Sequence, residues 1–238
     1  MKITIALPFN NELDNLKILI PKICEILNYD KEIDYELNLV DDLSNDGSYE
    51  FCKKFILENK LEKKINLFRL EKKGFQSGAL KKAFDQSNGD YIISMDTDLQ
   101  DDPKYLPQFL DNIKKNFDVI IGVRVNRKAP SLLKSGLKVY DYIFEKMFAL
   151  NLTTYRAPYV AYKKEFIFNL PWYNNDHRYL IPIAISRGAK KITQIEVNLN
   201  ERLSGSTHYN KYLKVFSGVI ELFRFILRLK KGIYKKNK

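Results

Sequence analysis

Gly89-Asp90-Tyr91-Ile92-Ile93-Ser94-Met95-Asp96-Thr97-Asp98-Leu99-Gln100-Asp101-Asp102-Pro103 decides how the chain is read. A turn signal opens it, a short apolar run rich in β-formers follows, and a cluster of carboxylates closes it. Pro103 then starts a segment with Tyr105, Leu106, Phe109, Leu110 and Ile113 at helical spacing, a helix with proline in its first turn. Asp96 and Asp98 are therefore expected where a buried strand emerges into a loop. In an open α/β sheet that rim is where ligands bind.

Two acids one residue apart on such a loop can aim oxygen ligands at one hard cation. Mg²⁺ or Mn²⁺ accepts a few carboxylates and completes its shell with water and substrate phosphates, and Gln100 adds a further oxygen. The competing reading is a solvated acidic loop that caps the next helix. An Asp-x-Asp pattern alone does not separate the two; its place after a buried strand favours the metal.

Working outward, the same architecture repeats. Residues 3–7 form a short apolar strand that ends in Pro8-Phe9-Asn10-Asn11-Glu12. A helix follows with Leu16, Leu19, Ile20, Ile23 and Ile26 on one face, and Pro21 is expected to bend it. Residues 35–40 give a second strand ending in Asp41-Asp42, and Ser44-Asn45-Asp46-Gly47-Ser48 turns into another helix. Residues 65–70 make a third strand, followed by a glycine-containing loop and a helix to about residue 86. Residues 117–123 make a fifth, ending at Arg124. Strands alternating with helices predict a mostly parallel sheet covered on both faces, with two acid-tipped strands sharing one crevice.

The second half is less regular. Residues 131–150 and 178–187 read as helices, residues 155–159 as a break, and residues 191–199 alternate like a strand. After a polar loop at 201–209, the chain from Tyr212 is helical. Lys214, Ser217, Glu221, Arg224 and Arg228 form a narrow polar stripe against a wide apolar face, and a basic tail follows. That pattern suits a helix lying in a membrane interface near anionic headgroups, or one packed on the domain or on a second subunit. The catalytic body is accordingly expected to span residues 1–210, with residues 211–238 as an amphipathic appendage.

Composition narrows the class. The 238 residues are 45% hydrophobic and 29% charged, which is ordinary for a globular protein, but the net charge of +11 is not. It points to nucleic acid, an anionic membrane surface or a phosphate-bearing substrate. Cys24 and Cys52 fall in apolar helical patterns and read as buried free thiols in a reducing compartment. The apolar run at the amino terminus is short for a signal peptide, and no uncharged apolar run reaches the roughly eighteen residues of a membrane span. The expected location is cytoplasmic, peripheral at the inner face of the plasma membrane.

With these pieces placed, the chain resembles the family 2 glycosyltransferases, and within them the polyprenyl-phosphate (dolichol-phosphate mannose synthase-like) branch. The motifs that carry the likeness are ALPFNNE at 6–12, LVDDLSNDGS at 39–48, FQSGAL at 75–80, GDYIISMDTDLQDDP at 89–103, GVRVNR at 122–127 and RLSGSTHY at 202–209. One departure stands out: where the family usually places glycine directly before Gln or Lys, Gly74 and Phe75 here occur in exchanged order before Gln76. The resemblance implies a GT-A fold and a nucleotide-diphospho-sugar donor. Pro8, Asn10, Glu12 and Asp42 would hold the nucleoside, with Gln76 nearby on its loop. Asp96, Asp98 and Gln100 would handle the diphosphate and its metal. Arg124, Arg127, Arg156 and Arg202 are candidates for phosphate contacts, because the guanidinium fork matches phosphate oxygens. Ser206 and Tyr209 match the family loop around Arg202.

The acceptor divides two readings. An ionised polyprenyl phosphate is already a nucleophile, whereas a glycan or lipid-linked sugar hydroxyl needs a general base, for which Asp176 is the candidate. His177 beside it would bind phosphate or cap the helix. A non-catalytic nucleic-acid binder is disfavoured, since no such motif is visible and carboxylates ring the expected crevice.

Overall fold

The computed structural model describes residues 1–125, 131–200 and 211–235, with all side chains except those of 131–137 and 211–217. In chain order the strands are β1 (Lys2–Phe9), β2 (Asp34–Asp41), β3 (Ile65–Arg69), β4 (Tyr91–Ser94), β5 (Val119–Val125), β6 (Val160–Lys163) and β7 (Ile192–Asn198). Between and after them lie α1 (Leu13–Tyr29), α2 (Ser48–Glu58), α3 (Phe75–Asp85), α4 (Leu106–Lys114), α5 (Ser131–Phe148), α6 (Leu180–Ser186) and α7 (Lys211–Lys230). Among the described residues they build one seven-stranded sheet in the order β3-β2-β1-β4-β6-β5-β7. Every neighbouring pair is parallel except those of β6, which runs antiparallel to β4 and to β5.

The period of two along each strand sorts side chains into two cores. Ile3, Ile5 and Leu7 of β1, Leu37 and Leu39 of β2 and Ile93 of β4 face α1, α2 and α4. Ala6, Val40, Ile92 and Ile121 face the other way, towards α3, α5 and α6. Each such aliphatic side chain, fully buried, contributes about 1.5–3 kcal/mol. Polar residues on the second face are paired internally: Thr4 Oγ1 donates to Glu36 Oε1 (2.8 Å) and Asn38 Nδ2 to the Ala83 carbonyl (2.9 Å). Gly89 is there for space, because a Cβ would stand 2.6 Å from the Thr4 backbone nitrogen.

Helix α1 continues through Pro21 as one element, and both cysteines are free and buried, as expected. The strand β6 was not legible: Val160-Ala161-Tyr162-Lys163 is four residues long and buried on both faces for its first three, so it shows no alternation. Helix α7 does not lie apart from the body. Phe225 is fully buried in the second core, stacked on Tyr179 with ring centroids 4.1 Å apart and edge-on to Phe144 of α5 at 5.9 Å. Its polar stripe turns partly inward, with the Glu221 and Arg228 side chains only 20% and 16% exposed. Val219 and Phe223 stand 62% and 63% exposed instead, with Ile220 and Leu227 beside them. No helix among the described residues is long and apolar enough to cross a membrane.

Candidate active site

The chain runs outward through β1, β2 and β3, then jumps back across β1 to β4, so the connections after β1 and β4 diverge. Such a switch point leaves a crevice at the carboxyl ends of the strands. The crevice of about 240 Å³ there is lined by Pro8, Phe9, Asn10 and Glu12 after β1, Asp42 after β2, Gln76 and Ala79 on α3, and Asp96, Thr97 and Asp98 after β4.

Short hydrogen bonds lace these loops together. Asn10 Nδ2 donates to the Asp42 carbonyl (2.9 Å), the Asn11 amide to Ser44 Oγ (2.9 Å) and the Glu12 amide to Ser48 Oγ (3.0 Å). Thr97 Oγ1 reaches the Pro8 carbonyl at 3.2 Å, tying the β4 loop to β1. Asp41 sits fully buried behind them, accepting from the Ser44 amide and paired with Arg69 at 3.2 Å. Asp42 accepts from the Gly74 amide at 2.7 Å and pairs with Lys73 at 3.4 Å.

The two acids of the central motif differ. Asp96 is held from both sides: Gln76 Nε2 donates to its Oδ1 (2.9 Å) and Arg124 Nη2 to its Oδ2 (3.3 Å). Arg124 in turn forks onto Asp101 through Nε and Nη2, both at 2.9 Å. Burial, then the neighbouring Asp101 charge, raises the Asp96 carboxyl above the usual range, with Arg124 opposing. Burial raises Asp101 as well, again against Arg124. Asp98 Oδ1 accepts from the Gln100 amide at 3.1 Å, which shapes the loop. Gln100 itself is outside the crevice lining, with its carbonyl accepting from the Asn200 amide at 3.2 Å.

Among the described residues no three His, Cys, Asp or Glu side chains gather to cage a metal ion. The donor set nonetheless fits a hard divalent cation held by one or two carboxylates and completed by substrate phosphates, the usual manner for Mg²⁺.

Four non-glycine residues with left-handed backbone fall at the same rim. Asn11, Leu43, Phe75 and Leu99 have φ of 57°, 60°, 53° and 60°, and they fall after β1, after β2, at the start of α3 and after β4. Leucine and phenylalanine rarely adopt this left-handed conformation, which costs roughly 1–3 kcal/mol each.

Other candidates lie elsewhere. Arg156 rests over the Tyr140 ring, 5.3 Å from its centroid, and does not line the crevice. Asp176 is 1% exposed. Its Oδ1 accepts from Arg228 Nη2 (3.0 Å), and its Oδ2 from Tyr234 Oη (2.9 Å) and the Tyr173 amide (2.9 Å). Burial raises its carboxyl above the usual range. His177 next to it is pushed down to about 4, by burial and then by the Arg178 charge, so at neutral pH it carries no charge for a phosphate. Arg127, Arg202, Ser206 and Tyr209 lie outside the described residues. Asp101 was missed as a functional residue although it stands in the central motif, because its pairing with Arg124 spans 23 residues and leaves no local pattern.

A profile of the glycosyl transferase family 2 matches residues 4–168, and the chain belongs to that family. Curated relatives include the undecaprenyl-phosphate 4-deoxy-4-formamido-L-arabinose transferase of Yersinia enterocolitica, 28% identical over 212 residues that cover 88% of this chain and 63% of the relative. The protein of that name from Photorhabdus laumondii is 28% identical over 224 residues, covering 93% of this chain and 66% of its own. The chain thus spans just under two thirds of the length of the relatives it matches. Among solved structures, mannosyl-3-phosphoglycerate synthase from Rubrobacter xylanophilus superposes with a TM-score of 0.72 at 14% identity, covering all of this chain and 77% of the other. Glucosyl-3-phosphoglycerate synthase from Mycobacterium tuberculosis, crystallised with Mn²⁺, UDP and its product, gives 0.65 at 13% identity, covering 98% and 79%. These likenesses establish the GT-A fold.

Proposed function

We propose that this chain transfers a sugar, with inversion, from a nucleotide-diphospho-sugar to a polyprenyl phosphate at the cytoplasmic membrane face. The observation that carries the reading is the crevice at the switch point, where Asn10 and Asp42 stand opposite Asp96 and Asp98 in a family 2 chain. The activity for which the curated relatives are named supports the class of acceptor. Asp42 and Asn10 would take the nucleoside. Asp98, with Asp96 beside it on the same crevice wall, would hold Mg²⁺ or Mn²⁺. When bound, that cation would stabilise negative charge growing on the leaving diphosphate. Arg124 clamps the acid loop through Asp101 and keeps Asp96 aimed into the crevice. Arg127 and Arg202 remain the candidates for phosphate contacts, and Ser206 and Tyr209 remain substrate-binding candidates by the resemblance of their loop.

An ionised phosphate acceptor needs no proton removed, so no general base is required. The engagement of Asp176 by Arg228 and Tyr234 supports this over transfer to a glycan hydroxyl. A donor panel assayed with Mn²⁺ or Mg²⁺, with and without a polyprenyl phosphate, tests the proposal. Transfer dependent on the lipid phosphate is expected; transfer only to a glycan hydroxyl would overturn it.

The membrane contact would be made by the outer face of α7, where Val219, Ile220, Phe223 and Leu227 stand exposed among Arg224, Lys230 and Lys231. Apolar side chains flanked by cations match an interface of anionic lipids. Replacing Phe223 and Leu227 together by glutamine should weaken binding to phosphatidylglycerol vesicles by roughly tenfold or more per side chain, with the fold unchanged. Added salt should weaken binding of the unaltered protein. Unchanged vesicle binding, with self-association lost instead, would assign the face to a second copy of the chain.

A further inference from the structure

We propose that Phe75 is a stacking platform for the nucleobase of the donor, and so a residue that sets donor affinity and base preference. The inference rests on the donor reading of the crevice given above. Phe75 is not itself among the side chains that line that crevice, but it stands in the chain between two residues that reach it. The preceding residue sends its amide to Asp42, and the following side chain, Gln76, reaches Asp96. Ala79, three residues beyond Gln76 on α3, lines the crevice with it.

The ring is 66% exposed and makes no ring or cation contact among the described residues, so it does not serve the core. It is also held in a conformation that a phenylalanine adopts at a cost, φ 53°. Glycine would take that conformation freely. The chain has its glycine one position earlier, where a Cβ would stand 2.8 Å from the Leu70 side chain and 3.1 Å from the Gly78 backbone. The exchanged order noted in the sequence therefore places a strained, exposed aromatic ring directly before Gln76, which lines the crevice. Of the parts of a nucleotide sugar, the diphosphate and the sugar are polar, and the base is the flat π-surface that such a ring complements. Aromatic stacking on a base is sequence-tolerant but responds to the size of the ring system.

The test uses Phe75→Gly, which relieves the backbone, and Phe75→Trp, which restores a ring. Equilibrium binding is measured for UDP, GDP, ADP and CDP with Mn²⁺, and for inorganic pyrophosphate with Mn²⁺. The glycine variant should bind the nucleoside diphosphates roughly 5- to 100-fold more weakly. Its pyrophosphate affinity should be unchanged, and tryptophan should recover most of the loss. Equal nucleotide affinity in the glycine variant and the unaltered protein would overturn the stacking role, and so would a parallel loss for pyrophosphate, which would mark the residue as merely shaping the loop. An unaltered protein that binds none of the nucleotides would overturn the donor reading itself, and stacking with it.

Discussion

Transfer by the Asp98→Ala protein is expected to fall by roughly 10³-fold or more, with the fold intact. A divalent cation at a departing diphosphate is worth several kcal/mol of transition-state stabilisation, and each 1.36 kcal/mol is tenfold in rate. Asp98 lines the crevice and belongs to neither hydrophobic core, so its loss should leave the protein folded even though its bond to the Gln100 amide is given up. Chelation by EDTA should silence the unaltered protein, and Mn²⁺ or Mg²⁺ should restore it. Mn²⁺ should also tighten nucleoside diphosphate binding to the unaltered chain and not to the variant, a readout independent of turnover. Asp96→Ala should differ, because it also releases Gln76 and part of the Arg124 clamp. Full activity in EDTA would remove the cation from the mechanism.

The second large effect is expected at Asp176, on stability and not on turnover. Removing one partner of a buried ion pair typically costs about 3–5 kcal/mol, because the other charge stays behind unpaired. Asp176→Ala should approach that range. Asp176→Asn, which keeps an acceptor for Tyr234, should lose roughly 1.5–3 kcal/mol. Arg228→Gln should destabilise comparably, and the double variant should fall well short of the sum, since both residues serve one contact. Thermal or urea unfolding reads these values. In the folded fraction, turnover with a polyprenyl phosphate should be largely kept. A 10²–10⁴-fold collapse in turnover for Asp176→Asn, with unchanged melting, would instead make Asp176 the general base of a hydroxyl acceptor.

The amino-terminal half was legible because each strand ends in its own signal. Pro8-Phe9-Asn10, Asp41-Asp42 and Asp96-Thr97-Asp98 mark three strand ends, and the structure brings all three to one crevice. What escaped were features that depend on partners distant in sequence. Strand β6 is too short and too thoroughly buried to show a period. Asp101 reads as one more acid in a run until Arg124 is seen to fork onto it. Asp176, read locally, is an acid in a polar stretch; nothing there signals its pairing with Arg228, 52 residues on. In α7 the helix itself was plain, but its orientation was not. Glu221 and Arg228 look like a solvent stripe, yet the ring of Phe225 between them decides which face turns inward.

The tie between α7 and the body bears on how the protein opens. Peripheral helices are often the first parts of a domain to open, through local excursions that cost little free energy. Here the last described helix cannot leave alone. Its departure would strip Phe225 from Tyr179 and Phe144, and would strand the Asp176 carboxylate in an apolar setting without Arg228 or Tyr234. Those penalties fall on the same cluster that packs against β4, β5 and β6. Helix α7 thus belongs to the cooperative unit of the sheet, and its amides should exchange with solvent on the slow timescale of the strands.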